Sequence, residues 1–379
     1  MSESQSLEKI IKQRIKRAGN FLPFDAFMQA ALYEPGLGYY ESKTIFGAKG
    51  DFVTAADLGP WLSLGFSDLI FWAWQQMGEP AQWTLLEQGS GSGKLLASTL
   101  NMISQFSMLP PSRIISVEQS AQLRDRQREL FTRYELEIEL LSSLAELEAS
   151  ENVIALSNEL PDAFPVRCFR WKEGQCFERG VVSGPNGFDW QDAEQPLGGG
   201  PEIARALLDA MPDGYFSEWN PNLAGWQQDL SAVVQSGFVF CVDYGYSQQE
   251  YYRPGRMEGS LLAHAKQQVN EDVLANPGEQ DITAHIDFTA LKQAGEAVGF
   301  ESLLWMSQGG WLAQSPSVQA FVQSLAGLQD KESMHLMAHA KRMLMPFGMG
   351  ELFKILVQSR GLKSERPGYL QQFDHLDQL

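Results

Sequence analysis

Three glycines at alternate positions, Gly89, Gly91 and Gly93, follow an acid, Glu87, that closes the short apolar run Thr84-Leu85-Leu86. Glycine permits a tight turn and close approach of a ligand to the backbone, and a helical pattern starting at Lys94 offers free N–H groups just beyond. Three ligand classes use such a loop, and spacing separates them. A phosphate-cradling Walker loop needs Gly at 88 and Ser or Thr at 95, where this chain has Gln88 and Leu95. A dinucleotide fingerprint needs its third glycine at 94, where Lys94 stands. What remains is an acid before GxGxG, the pattern of S-adenosylmethionine sites, in which the loop faces an amino acid and a nucleoside without any phosphate. The next apolar run, Ile114 to Val117, ends in Glu118, whose carboxylate at a strand tip can accept hydrogen bonds from both ribose hydroxyls. A plain structural turn and an exposed surface glutamate are the alternatives; taken together, the two acids favour a nucleoside cofactor.

These residues must be positioned by a scaffold, and the pattern around them predicts one. From Trp83 onward short apolar runs alternate with helix-length segments, which means a largely parallel sheet. The runs are Thr84 to Leu86, Arg113 to Val117, a weak one near Ile138 to Leu141, Val153 to Leu156, Phe238 to Val242, Glu301 to Met306 and Leu352 to Gln358. Helices are expected over Lys94 to Phe106, Ala121 to Tyr134 and about Phe288 to Val298. Two gaps, about 163–235 and 309–350, break the rhythm and read as insertions: the first holds short strands and a Gly-rich loop, and the second is mostly helical. Residues 5–32 predict two helices, and a glycine- and aromatic-rich loop runs from Tyr33 to Gly59. The expected division is therefore an N-terminal helical segment with a cofactor-covering loop over 1–60 and an α/β domain with insertions over 61–379.

Composition limits the function. The chain has 29 Lys and Arg against 47 Asp and Glu, a net charge of −18, so its mean field repels phosphate backbones and anionic membranes. No nucleic-acid or membrane partner is expected. The apolar stretch Leu58 to Trp74 is broken by Asp68 and two glycines and reads as a buried helix rather than a span. Cys168, Cys176 and Cys241 form no CxxC and leave an odd thiol, which suits a reducing compartment. With no legible targeting segment, a cytoplasmic location is expected. A homodimer is compatible with the chain.

The segments GYYESKTIFGAKGDFVTAADLG, LLEQGSGSGKL, SNELPDAFPVRCF, FCVDYGY, ANPGEQDITAHIDFTAL and MGELFKILV occur in order over roughly residues 20 to 360. Together they resemble the MidA-type family of S-adenosylmethionine-dependent methyltransferases, which includes a mitochondrial arginine methyltransferase acting on a subunit of respiratory complex I. The resemblance implies a Rossmann-like class I methyltransferase fold: a seven-stranded, mostly parallel sheet with an antiparallel final strand, plus largely helical insertions. Carried over by position, it implies cofactor contacts from Gly50, Asp51, Phe52 and Thr54, from Glu87, Gly89, Gly91 and Gly93, and from Glu118. It points also to Asn158, Glu159 and Asp162, to Asp243, Tyr244 and Gly245, and to Asp281, Thr283, His285 and Asp287. The chain departs from the family in reading EQGSGSG for ELGPGRG, TAAD for TAPE, NELPDA for NEFFDA, and GSLLAH where an arginine is usual at Leu262.

Methyl transfer from a sulfonium is an in-line displacement, so a protein must mainly hold the acceptor lone pair along the C–S axis. The leaving thioether is neutral and needs no acid. If the acceptor is a guanidinium, carboxylates must grip it and keep its charge on the nitrogens that do not attack. The expected site is Glu159 in the orienting role, Asp162 supporting it, and Asn158 and Tyr244 beside them, with the ordinary alternative of a turn and helix cap. The expected function is a methyltransferase using S-adenosyl-L-methionine on a protein substrate, most readily an arginine side chain. A non-catalytic cofactor-binding assembly factor and a small-molecule methyltransferase are the alternatives. No metal is expected: His335 and His339 share a helix face but lack a third ligand.

Overall fold

Short runs rich in Val, Ile and Leu, each followed by an amphipathic helix, bury both faces of a strand and assemble as parallel neighbours. The computed structural model describes residues 6–41, 58–185, 187–265 and 268–379. The chain forms two compact units, each built from discontinuous segments.

The larger unit comprises the described residues of 58–160, 226–245 and 291–379. Its strands are β1 (Thr84–Gln88), β2 (Arg113–Val117), β3 (Glu139–Leu141), β4 (Val153–Asn158), β5 (Gly237–Tyr246), β6 (Glu301–Ser307) and β7 (Phe353–Arg360). They follow one path in the order β6-β7-β5-β4-β1-β2-β3. All neighbours from β5 to β3 are parallel, while β7 runs antiparallel to both β5 and β6. Helices Lys94–Ile103 and Ala121–Arg133 follow β1 and β2. The stretch that begins at Leu58 yields helix Trp61–Gln76, whose Trp61, Phe66, Ile70 and Trp74 are buried against Leu85, Phe238 and Trp311 in one core. Asp68 on it is also buried and accepts the Ser317 N–H at 3.0 Å and hydroxyl at 2.6 Å, which ties it to the start of helix Pro316–Leu325. Among the described residues no helix is long and apolar enough to cross a membrane.

The smaller unit comprises the described residues of 6–41, 161–225 and 246–290. Helices Leu7–Arg17 and Phe24–Tyr33 sit where the 3.6-residue periodicity puts them. The inserted segment contributes antiparallel strands Arg167–Lys172, Gln175–Gly184 and Gly187–Pro196, joined by Phe216–Trp219. Phe24, Phe27, Val166, Val181 and Phe216 share its core. A second small sheet pairs Leu262–Ala265 with Gln268–Asn270 and Asp281–Thr283. Cys168, Cys176 and Cys241 form no disulfide among the described residues.

Candidate active site

The glycine turn sits where β1 ends, in the middle of the sheet. Gly89, Gly91 and Gly93 all adopt left-handed backbone, with φ of 71°, 50° and 76°, so the spacing of glycines is dictated by conformation. Their surroundings differ. A Cβ on Gly89 would lie 2.8 Å from Leu160, and one on Gly93 would lie 2.7 Å from the Phe131 ring, whereas one on Gly91 would meet nothing within 4 Å. The turn is thus packed tight at both ends and open at its crest.

Side chains fix the turn from below. Glu118 Oε2 accepts the Gly91 N–H at 3.0 Å, and its Oε1 accepts the Ser120 N–H at 2.9 Å. Gln127, fully buried on the helix after β2, donates through Nε2 to the Gly91 carbonyl at 2.8 Å and accepts from the Ser116 hydroxyl at 2.7 Å. Trp226 donates through its indole to Gln88 Oε1 at 2.9 Å. Ser116 and Gln127 carry no signal in the linear pattern, since a buried polar residue in a helix or strand looks like a surface residue in sequence, and Trp226 reads there only as core.

Glu87 is 2% exposed, and burial pushes its carboxyl up to about 8, with the charge of Glu118 adding to the rise against a backbone hydrogen bond that lowers it. Its Oε2 is buried without a hydrogen-bond partner among the described residues. So is Asn158 Oδ1, on the neighbouring strand. Two orphaned acceptors beside a bare backbone crest suit a ligand that brings donors and positive charge, as the aminoacyl and nucleoside parts of a sulfonium cofactor do.

The sheet register lines up the rest. Gln88 pairs with Val117 on one side and Ser157 on the other, and Asn158 pairs with Val242, so Glu118, the glycine turn, Glu159 and Asp243 all leave the carboxyl edge at one level. Open α/β sheets bind ligands at this edge. Glu159 takes a left-handed conformation, φ 51°, which is uncommon for a residue other than glycine. Its N–H donates to Val242 O at 3.0 Å, and its Oε1 accepts from Asn158 Nδ2 at 3.0 Å. Tyr244 packs edge-on against Phe353, ring centroids 5.1 Å apart, at the border of the core.

Asp162 stands at the start of the smaller unit, on the short turn Pro161–Ala163, where it is buried and its carbonyl accepts from Ala284 N at 3.1 Å. In the same unit Tyr40 donates to both oxygens of Asp281, at 2.9 and 3.0 Å, and loss of hydration, helped by Asp281, Tyr33 and Asp162, raises its phenol well above the ordinary value. Asp287 caps helix Phe288–Ala297 through the N–H groups of Thr289 and Ala290, and burial raises it to about 6. His285 is pushed down to about 4 by burial. Gly50, Asp51, Phe52 and Thr54 lie outside the described residues. His339 holds Leu58 O through Nδ1 at 2.8 Å with the His335 ring 4.0 Å away, and among the described residues no group of three or more ligating side chains gathers.

A sequence profile of S-adenosyl-L-methionine-dependent methyltransferases matches residues 67–306. The chain is 24% identical over 386 residues, 94% of it and 85% of the relative, to the Drosophila melanogaster homolog of the mitochondrial protein arginine methyltransferase NDUFAF7. It is 27% identical to the Xenopus tropicalis NDUFAF7 over 75% of its own length and 70% of the relative's. Among solved structures, a Burkholderia thailandensis protein bound to S-adenosyl-homocysteine superposes with a TM-score of 0.87 at 29% identity, covering 98% of this chain and 96% of that one. These curated relatives are mitochondrial proteins by name, which overturns the expectation of a cytoplasmic location. The matching profile spans well over half of the 379 residues, so the open glycine turn belongs to a member of the S-adenosyl-L-methionine-dependent methyltransferase family, with that compound as its cofactor.

Proposed function

We propose that the chain methylates a guanidinium nitrogen of an arginine in a protein substrate. The observation that carries this reading is the strained Glu159, whose carboxylate leaves β4 one strand away from the open glycine turn, at the same level of the sheet. A carboxylate so held is suited to a planar cation, and the curated relatives at 24 to 27% identity are protein arginine methyltransferases by name.

In this reading Gly89, Gly91 and Gly93 give the cofactor access to bare backbone, Glu118 takes the ribose hydroxyls, and Glu87 and Asn158 offer acceptors to its polar groups. When bound, the cofactor supplies a sulfonium methyl that leaves behind a neutral thioether. Glu159 grips the guanidinium so that its positive charge stays on the nitrogens that do not attack. Asn158, donating to Glu159 Oε1, keeps that carboxylate from rotating away. Tyr244 forms a wall beside it. The attacking nitrogen gains a methyl and releases a proton to water, while the sulfonium becomes the neutral thioether.

The test is transfer of radiolabel. The purified protein is incubated with methyl-labelled S-adenosylmethionine and a mitochondrial protein extract, and labelled protein is hydrolysed to amino acids. Label recovered as methylarginine supports the reading. Label on a small molecule moves the acceptor to another class, and cofactor binding with no transfer to anything leaves a non-catalytic role.

A further inference from the structure

We propose that Arg170, Lys172 and Arg179, on the antiparallel strands of the smaller unit, form a binding site for a phosphate group. Arg170 and Lys172 are two apart on strand Arg167–Lys172 and so share one face. Arg179, on the adjoining strand, is paired in register with Asp192 on the next. The three cations surround a cavity of about 400 Å³ that Trp190 also lines.

Asp192 is the one partly buried acid beside these cations: it pairs with Lys172, lies 3.3 Å from Arg170 Nε, and lies 3.8 Å from Arg179 Nε. That last separation is too long for a hydrogen bond. Glu173 and Asp213 also border the cavity, but both are exposed, where water screens them. Lys172 is itself 41% exposed, so the two less exposed cations, Arg170 and Arg179, are left with Asp192 as their one half-buried acid.

Arg179 is the sharpest sign. Its guanidinium is held over the rings of Trp190 and Phe216, 5.4 and 5.1 Å from their centroids. Its Nε is fully buried and unpartnered. A desolvated guanidinium with an idle donor is costly, and it has a fork geometry suited to a tetrahedral oxyanion. A phosphate carrying about −1.5 to −2 charges at neutral pH would meet the guanidinium groups of Arg170 and Arg179 together with the Lys172 ammonium. The group could arrive as free phosphate or as a phosphate monoester.

The test titrates inorganic phosphate and, separately, adenosine monophosphate into the full chain at low salt, following phosphorus NMR line width and thermal melting. Binding with a dissociation constant on the order of 1 mM, weakened about tenfold in Lys172→Met and in Arg179→Met, is expected. The ligand that binds tighter names the source. Lys172 is 41% exposed, so Lys172→Met keeps the fold and decides the matter even where Arg179→Met does not fold. No binding of either probe up to roughly 20 mM, or binding that Lys172→Met leaves unchanged, overturns the site.

Discussion

Glu118 Oε2 accepts the N–H of Gly91 at 3.0 Å, so the acid assigned to the ribose is also the support of the turn it faces. Glu118→Ala removes this acceptor together with that of Ser120. Hydrogen bonds to a charged group are worth about 2 kcal/mol, so affinity for S-adenosylmethionine should fall roughly thirtyfold. Calorimetric titration checks it; an unchanged dissociation constant would remove Glu118 from the cofactor site.

Gly93→Ala should be harsher on the fold than Gly91→Ala. Both positions need positive φ, at a cost of about 1 kcal/mol, but only at Gly93 does the new methyl meet a ring, 2.7 Å away, with overpacking of about 1–3 kcal/mol more. Urea denaturation of the two variants gives the comparison. Equal midpoints would show that the Phe131 side of the turn yields freely.

Glu87 makes the protein pH-dependent in a definite direction. Its carboxyl titrates at about 8 in the fold against 4.5 as its ordinary value, so its neutral form is the one the native state favours. The contribution to stability is complete below about 4.5 and is lost as pH rises through about 8. Cationic cofactor binding should draw the proton off, so affinity should rise between pH 6 and 8 and the binding heat should depend on the buffer's ionisation enthalpy. Glu87→Gln should abolish both effects. A proton count of zero in two buffers counts against the placement of Glu87 beside the ligand.

Glu159 sets activity against stability. Replacing it by glycine relieves a left-handed backbone and should raise stability by about 1 kcal/mol while ending turnover. Glu159→Gln keeps the shape and loses the charge; methyl transfer should drop about a hundredfold with cofactor affinity nearly intact. Full activity in the glutamine variant would falsify the orienting role.

Much of the larger unit was legible because its strands are continuous apolar runs. Arg113 to Val117 is the strand read directly from the residues, and Val153 to Leu156 falls short only by Ser157 and Asn158, polar residues that the ladder to β5 carries onward. β5 overruns its apolar part in the same way, because Asp243 and Tyr244 pair with Lys354 and Phe353. What stayed hidden rests on contacts remote in sequence. The two-residue strand Leu22–Pro23 exists only through pairing with Val181 and Gly180. Gln127 shares the buried face of its helix with Leu123 and Phe131, yet nothing in the pattern says that its amide meets the Gly91 carbonyl, or that the Trp226 indole meets Gln88. The left-handed state of Glu159 is likewise invisible, since no glycine or asparagine announces it.

β7 comes last in chain order among the strands of this sheet, yet it fills an interior position between β5 and β6. A nascent chain stopped before Phe353 would bare the flank of β5 and leave β6 without its neighbour, a template for adhesion to other chains. The sheet therefore cannot close until Phe353–Arg360 has been made, and products that stop before it should be sticky rather than merely inactive.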